Sequence, residues 1–478
     1  MATTLYWHDY ETFGADPRRD RPAQFAGVRT DEALNEISEP LTIYCKPSRD
    51  YLPHPKACLL TGITPQLADE NGILEPEFIA RIHSELAKPN TCGVGYNSIR
   101  FDDEVTRFTL YRNFYEPYAR EWQQGNSRWD IIDLVRMAYA LRPDGINWPQ
   151  HEAGQPSFRL EDLVAANGIQ HESAHDALSD VRATIALARL VRAQQPRLYH
   201  WLFELRDKRK AAAQLDLVTH HPVVHSTRMY PSVTGCTSLV MPLIIEPGNN
   251  NSVLVYDLRH DPEIFLSLDS DELSRLLFTR TEELPDQMQR LPVKSIKINK
   301  CPALAPRNTL NAEIAERIAL DMEACQKHWQ RLCENPDFYK RVAAAYTSLS
   351  FESSNDVDAA LYDGFFNASD MILMAQIRNA SPKELAKAKF DFQDARLPEL
   401  LFRYRARNWP ETLSESEKDQ WEQQRLTRLT QGNENTSLTV SELSKQIKLL
   451  HDMDNISKNH KHILDQLKAW MNNLQLTD

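Results

Sequence analysis

Leu5-Tyr6-Trp7-His8-Asp9-Tyr10-Glu11-Thr12-Phe13-Gly14 is the stretch on which the reading of this chain turns. Leu5 to His8 is short, largely apolar and rich in aromatics, which predicts a strand. Two carboxylates follow, Asp9 and Glu11, with one residue between them. On a strand, side chains at i and i+2 share a face, so both acids project into one spot. Like charges that close repel unless a cation sits between them. Oxygen-only ligands suit a hard ion, Mg²⁺ or Mn²⁺. Tyr10 points to the opposite face, towards the core, while its backbone passes the site. Alone, a D-x-E triplet is a weak pattern that equally describes a solvated strand end.

Two further stretches add to it. Gly95-Tyr96-Asn97-Ser98-Ile99-Arg100-Phe101-Asp102 follows an apolar run and ends in a third acid. His175-Asp176-Ala177-Leu178-Ser179-Asp180 supplies a histidine and a fourth acid before a strong helical pattern. D-x-E, then N-x₃-F-D, then H-x₄-D, in that order, resembles the three motifs of the DEDDh exonuclease superfamily. The surrounding text narrows the match. His8–Gly14, Asp20-Arg21-Pro22-Ala23-Gln24-Phe25, Arg100–Arg107, Ala140-Leu141-Arg142-Pro143, Leu361-Tyr362-Asp363-Gly364-Phe365-Phe366 and Tyr404–Asn408 are similar to the bacterial exonuclease I family. The resemblance runs over nearly the whole chain.

That resemblance implies an α/β architecture: a ribonuclease H-like DEDDh exonuclease domain with a mixed sheet, an SH3-like β-barrel, and a C-terminal helical domain. It implies 3′→5′ hydrolysis of single-stranded DNA to 5′-mononucleotides, serving DNA repair and recombination. Two Mg²⁺ ions are expected, with Mn²⁺ able to substitute. Asp9 bridges both, Glu11 and Asp180 complete one site, and Asp102 acts on the second, partly through water. A neutral histidine poised near pH 7 can take a proton from water; His175, five residues before Asp180, fits that task. Three other histidines, His220, His221 and His225, cluster around Pro222, without cysteines at zinc-ligand spacing.

Composition sets the outer limits. The chain has 478 residues, 42% hydrophobic and 26% charged, with a formal net charge of −12. The length suggests two to four domains. The acidity counts against a protein that coats duplex DNA with a basic surface, but a local basic groove is enough to track a single strand. No stretch approaches the roughly 18 apolar residues of a membrane span, and the N-terminus shows no export signal. Seven cysteines are dispersed with no C-x-x-C pair, which predicts reduced thiols and a cytoplasmic location.

The domains are expected at 1–193, 195–345 and 350–478. In the first, Leu41–Cys45 is the predicted second strand, Glu75–Ala87 a helix and Thr91–Tyr96 a strand. Asp103–Arg142 interleaves Arg107, Arg112, Arg120, Arg128, Arg136 and Arg142 with aromatic residues. Stacking rings with guanidinium groups suit a sequence-tolerant single-strand site. Phe114 and Tyr115 read as core; Tyr118 and Trp122, beyond Pro117 in a polar run, are the candidate exposed rings. Ser157 is the expected N-cap of the next helix. Arg159 then falls just inside it, where a cation opposes the dipole; that misfit, with the resemblance, makes it a candidate phosphate contact. The expected substrate contacts are Glu11, Arg107, Tyr118, Trp122, Arg136, Arg159 and Lys208.

Arg192–Lys210 holds six basic and two acidic residues, a local reversal of sign that favours phosphate contact. Short β-like runs at Val223–His225, Leu239–Leu243 and Val253–Tyr256 predict a small antiparallel sheet or barrel, with a helical stretch at Asn311–Cys333. From about Asn355 the chain reads as helical, with caps at Ser381 and Ser414. The resemblance also suggests docking on the acidic C-terminal tail of single-stranded DNA-binding protein, received by Arg142 with Arg206–Lys210, and a monomer whose C-terminal domains close over the catalytic one. Two other readings compete: an exoribonuclease of the same superfamily, since no residue announces recognition of a 2′-OH, and a non-catalytic strand-binding protein.

Overall fold

Strand β1 (Thr4–Thr12) is longer than the Leu5–His8 core of the prediction and carries both acids within it. The computed structural model describes residues 3–151, 154–170, 176–285, 288–347, 354–432, 436–453 and 456–474. The chain divides into one unit of Met1–Ser127, His171–Arg182 and Ser353–Asp478, and a second of Arg128–Gln170 and Ala183–Glu352.

In the first unit, β1 lies among β2 (Pro22–Thr30), β3 (Leu41–Cys45), β4 (Gly72–Ile73) and β5 (Thr91–Gly95), in the order β4-β3-β2-β1-β5. β1 runs antiparallel to β2 and parallel to β5, so the sheet is mixed, as expected. Leu41–Cys45 is the third strand, not the second. The strand before it was not legible because all nine residues of β2 are buried, and a strand covered on both faces shows no alternation. Its polar members are absorbed locally. Arg29 donates to the Glu85 carbonyl and carboxylate and lies 4.8 Å from the centre of the Tyr6 ring. Gly27 is required beside that ring: a Cβ there would stand 2.2 Å from the Tyr6 hydroxyl oxygen.

The helix Glu75–Leu86 forms where predicted and buries Phe78, Ile79, Ile82 and Leu86. They pack against Tyr6, Tyr10 and Phe25, so the Tyr10 side chain is core. The C-terminal helices share their cores with the N-terminal residues of this unit. Leu443, Leu464, Leu467 and Trp470 cluster with Phe13, Ala23 and Leu52. Met374, Leu397, Leu400 and Tyr404 cluster with Phe108, Tyr111 and Phe114. Ser381 and Ser414 cap their helices with reciprocal capping boxes. Between these cores lies a buried ionic knot. Arg407 bridges Asp50 at 2.8 Å and Asp358 at 2.5 Å, Arg403 and Arg428 hold Asp356 at 2.6 and 2.8 Å, and Arg21 reaches Asp358 at 3.5 Å.

β6 (Ser127–Asp130) begins on the last residue of the first unit. In the second unit, β7 (Val223–Ser226), β8 (Thr237–Ile245), β9 (Ser252–Asp257), β10 (Val293–Lys297) and β11 (Ala303–Pro306) form an antiparallel sheet in the order β10-β9-β8-β7-β11. Two expectations are corrected here. The helix expected from Ser157 starts at Leu160, with Arg159 in the N-cap position. Ser157 instead donates its hydroxyl to Asp162 at 2.5 Å. The stretch Asn311–Cys333 is two helices, Ala312–Arg317 and Met322–Cys333, separated at Ala319 with φ 50°. Asn311 and Asp321 each accept backbone N–H groups as separate N-caps, which is why the run does not continue.

Candidate active site

Asp9 and Glu11 project from β1 on one face, as the i, i+2 spacing requires. Their cross-strand neighbours are Ala26 and Gln24, and the register shifts between Glu11 and Thr12. Asp180 comes from the first turn of the helix Ala177–Gln194. One carboxylate oxygen from each of Asp9, Glu11 and Asp180 lies within 4.8 Å of the others, the only such cluster of potential ligands among the described residues.

Asp102, the first residue of the helix Asp102–Arg112, is 3% exposed. The Tyr10 backbone N–H donates to its Oδ1 at 3.0 Å. Thr106, one turn on, donates to the Asp102 carbonyl at 2.8 Å and is hydrogen-bonded to the Tyr10 hydroxyl at 3.0 Å. The strand between the two acids and the helix that starts with Asp102 are therefore joined by two hydrogen bonds, one to the Tyr10 backbone and one to its hydroxyl.

The electrostatics are those of a site that wants a cation. Burial, then Asp102, Glu11, Asp180 and Asp176, pushes the Asp9 carboxyl far above its ordinary range. Burial, then Asp180, Asp102 and Asp176, raises Glu11 to about 9. A donor set made only of carboxylates, mutually repelling and partly desolvated, fits a hard divalent ion. His175 lies outside the described residues. Asp176, beside it, was not singled out in the sequence. It accepts the Ser179 N–H at 3.2 Å, and its charge reaches Asp9 and Glu11. Its signal was that of an ordinary N-cap before an apolar helix.

The basic residues differ from a free groove. Arg107, Arg112, Arg120, Arg128 and Arg136 are all less than a tenth exposed. Arg120 pairs with Asp103 at 2.5 Å and Arg112 with Glu75 at 3.1 Å; these two stabilise the core. Arg107 donates to both Glu121 oxygens at 2.7 and 2.8 Å and to Glu104 at 2.8 Å. Arg136 pairs with Asp133 at 2.6 Å. Arg159 is largely exposed beside Glu161, and Lys208 is exposed in the first turn of the helix Lys208–Ala212. Trp122 is 66% exposed. Tyr118 is half-buried, with the Arg107 guanidinium 5.1 Å from its ring centre and Phe365 edge-on at 5.7 Å. Phe365 is 86% exposed, and Tyr362, whose hydroxyl bonds Glu104, is half exposed. Nothing in the sequence assigns these two a role, because an exposed ring and a core ring look alike in text. The histidines near Pro222 share no ligand site: His220 bonds the Pro242 carbonyl and His225 the Tyr230 hydroxyl.

Three family models match the chain in succession: Exonuclease over residues 6–188, Exonuclease I SH3-like domain over 206–348, and Exonuclease I C-terminal domain over 355–474. The exodeoxyribonuclease I of Escherichia coli (strain K12) is 49% identical over 420 residues, 88% of each chain. The chain belongs to the exonuclease I family. Among solved structures, an exonuclease I from Methylocaldum szegediense superposes with a TM-score of 0.95 at 49% identity, covering 99% of this chain and 100% of that one. A zinc-bound E. coli exonuclease I–ssDNA complex does so with a TM-score of 0.95 at 45% identity, over 99% and 100%. The exonuclease I architecture thus accounts for the order of folds: a mixed α/β exonuclease domain, the SH3-like antiparallel sheet, then the helical C-terminal domain. Among the described residues no helix is long and apolar enough to cross a membrane.

Proposed function

We propose that this chain is a 3′→5′ exodeoxyribonuclease specific for single-stranded DNA, releasing 5′-mononucleotides. The observation that carries the reading is the convergence of Asp9, Glu11 and Asp180 within 4.8 Å, with Asp102 tied to the strand between the first two. The solved relative that binds ssDNA supports the substrate.

Asp9, Glu11 and Asp180, with Asp102, would hold two Mg²⁺ ions, for which Mn²⁺ can substitute. Divalent cations there supply Lewis acidity at the scissile phosphate. His175 takes the proton of the attacking water as general base. Glu11 is a further substrate contact, the Tyr10 main chain meets the terminal nucleotide, and Arg159 is a phosphate contact. Tyr118 and Trp122, with Phe365 edge-on to Tyr118 and Tyr362 bonded to the Arg107 that lies over the Tyr118 ring, offer rings to unstacked bases. Arg107, Arg136 and Lys208 are the remaining strand contacts; Arg107 and Arg136 would share their charge with the carboxylates they already bind.

The proposed domains are 1–193, 195–345 and 350–478, in a monomeric cytoplasmic protein acting in DNA repair. Arg142 and Arg206–Lys210 are the proposed seat for the acidic tail of single-stranded DNA-binding protein. Arg142 and Lys208 are exposed, as that role requires.

The test is a product assay on single-stranded DNA, duplex DNA and RNA, each labelled at either end, with Mg²⁺ or EDTA. Mononucleotides released from the 3′ end of single-stranded DNA alone, and only with the metal, are expected. Equal hydrolysis of RNA would make the exoribonuclease reading correct.

A further inference from the structure

The segment Asp20–Phe25 was notable in the sequence, yet nothing in the proposed chemistry uses it. Its member Gln24 is 2% exposed and lies on β2 directly opposite Glu11. Paired residues of an antiparallel ladder share a face of the sheet. Tyr44 is the partner of Gln24 on β3. Glu11, Gln24 and Tyr44 therefore form one row across three strands, on the face where the acids converge.

The helix Ala177–Gln194 begins above this row. Its first turn contains N–H groups that no helical carbonyl can accept. Asp176 accepts the one from Ser179. The one from Ala177 is accepted by Oε1 of Gln24, at 3.4 Å. Burial, and after it the charge of Asp176, raises the phenol of Tyr44, the next residue in the row. Asp180, three residues after Ala177, reaches Asp9 and Glu11 from that turn. The helix start is thus anchored to the sheet by a neutral side chain standing beside Glu11. A carboxylate at position 24 would add another negative charge to the cluster, whereas an amide accepts the N–H without charge.

We infer that Gln24 is a positioning residue for the divalent-cation site: it sets the height of the helix's first turn, Ala177–Asp180, over β1 and β2, and so the reach of Asp180 to Asp9 and Glu11. The inference rests on the cation-site reading above. Partners that orient ligating groups typically contribute about 10–100-fold in metal affinity or activity when removed.

The experiment is Mn²⁺ titration of the full chain by calorimetry, without DNA, for wild type, Gln24→Asn, Gln24→Met and Asp180→Asn, with thermal melts of each in EDTA. Asn keeps a buried amide but is one methylene too short; Met keeps the length but has no oxygen. Both are expected to weaken Mn²⁺ binding about tenfold or more, with Asn melting within a few degrees of wild type. The cation concentration for half-maximal cleavage should rise in parallel, and excess Mn²⁺ should restore most of the turnover. If Asp180→Asn loses Mn²⁺ binding while Gln24→Asn binds like wild type, the positioning role is overturned and the cation site stands. If no variant, Asp180→Asn included, alters Mn²⁺ binding, the cation site itself is wrong. Weakened binding only in a variant whose melting midpoint has collapsed, with the other variant binding normally, likewise overturns the positioning role.

Discussion

The backbone N–H of Tyr10 donates to the carboxylate of Asp102 across 92 residues of sequence, at 3.0 Å. One carboxylate oxygen thereby fixes the strand segment that separates Asp9 from Glu11. Asp102 accordingly has two separable roles, one set by shape and one by charge. Asp102→Asn keeps an oxygen for Tyr10 but removes the charge. Asp102→Ala removes both and leaves a buried N–H unpaired, at a cost of about 1–3 kcal/mol. Both should lose nearly all hydrolysis, while only the alanine variant melts markedly lower. Equal melting midpoints would show that the Tyr10 bond contributes nothing to the fold.

Asp9 and Asp180 repel their neighbours in the cation-free protein. Asp9→Asn and Asp180→Asn should abolish cleavage, retain strand binding in Ca²⁺, and stabilise the protein in EDTA by about 0.5–2 kcal/mol, as relief of a functional strain does. The measurement is a melting curve with and without divalent cation. A variant that is less stable than wild type in EDTA contradicts the electrostatic account.

His175→Ala should lower turnover about 10²–10⁴-fold while the Mn²⁺ affinity stays within about twofold of wild type. Comparable losses in both quantities would assign His175 to holding the cation site together instead of to proton transfer.

The Asp50–Asp356–Asp358 knot makes a prediction about acid. Burial raises the Asp50 and Asp358 carboxyls, but Arg407, with Arg428, Arg403 and Arg21, more than offsets this, and both titrate well below their ordinary range. A carboxyl lowered in the folded state contributes stability fully above its unfolded value of about 3.9. That contribution is lost as the pH falls from there through the folded values. Denaturant midpoints should therefore drop steeply below about pH 4 in wild type and less steeply in Asp358→Asn. At neutral pH, Asp358→Ala leaves buried guanidiniums uncompensated and should cost about 3–5 kcal/mol.

Strand binding separates into rings and charges. Trp122→Ala should weaken single-strand affinity by about 1–3 kcal/mol with an unchanged salt slope. Lys208→Ala should reduce that slope by about 0.7. Filter binding against salt, in Ca²⁺ to suppress cleavage, distinguishes the two. A slope unchanged by Lys208→Ala would remove that residue from the strand path.

The sequence alone determined the ordered acids Asp9, Glu11, Asp102 and Asp180, the strand that carries the first pair, and the helix whose first turn carries the last. These are local facts: a period of two aligns Asp9 with Glu11, and capping and apolar spacing mark the helices. The family resemblance was legible for the same reason, since its motifs are short and contiguous. Tertiary structure decided what depends on burial and on distant partners. Strand β2 was hidden because it is covered on both faces. Arg112 and Arg120 belong to the stretch whose composition suits a strand-binding site, yet Glu75 and Asp103 hold them in the core; a guanidinium in text carries no sign of the carboxylate that will meet it. Nor could the text show that Leu464 and Trp470 would pack with Phe13, or that Gln24 would reach Ala177 across 153 residues. Hydrophobic burial has no direction in sequence, and only the folded chain selects which apolar faces and which charges become neighbours.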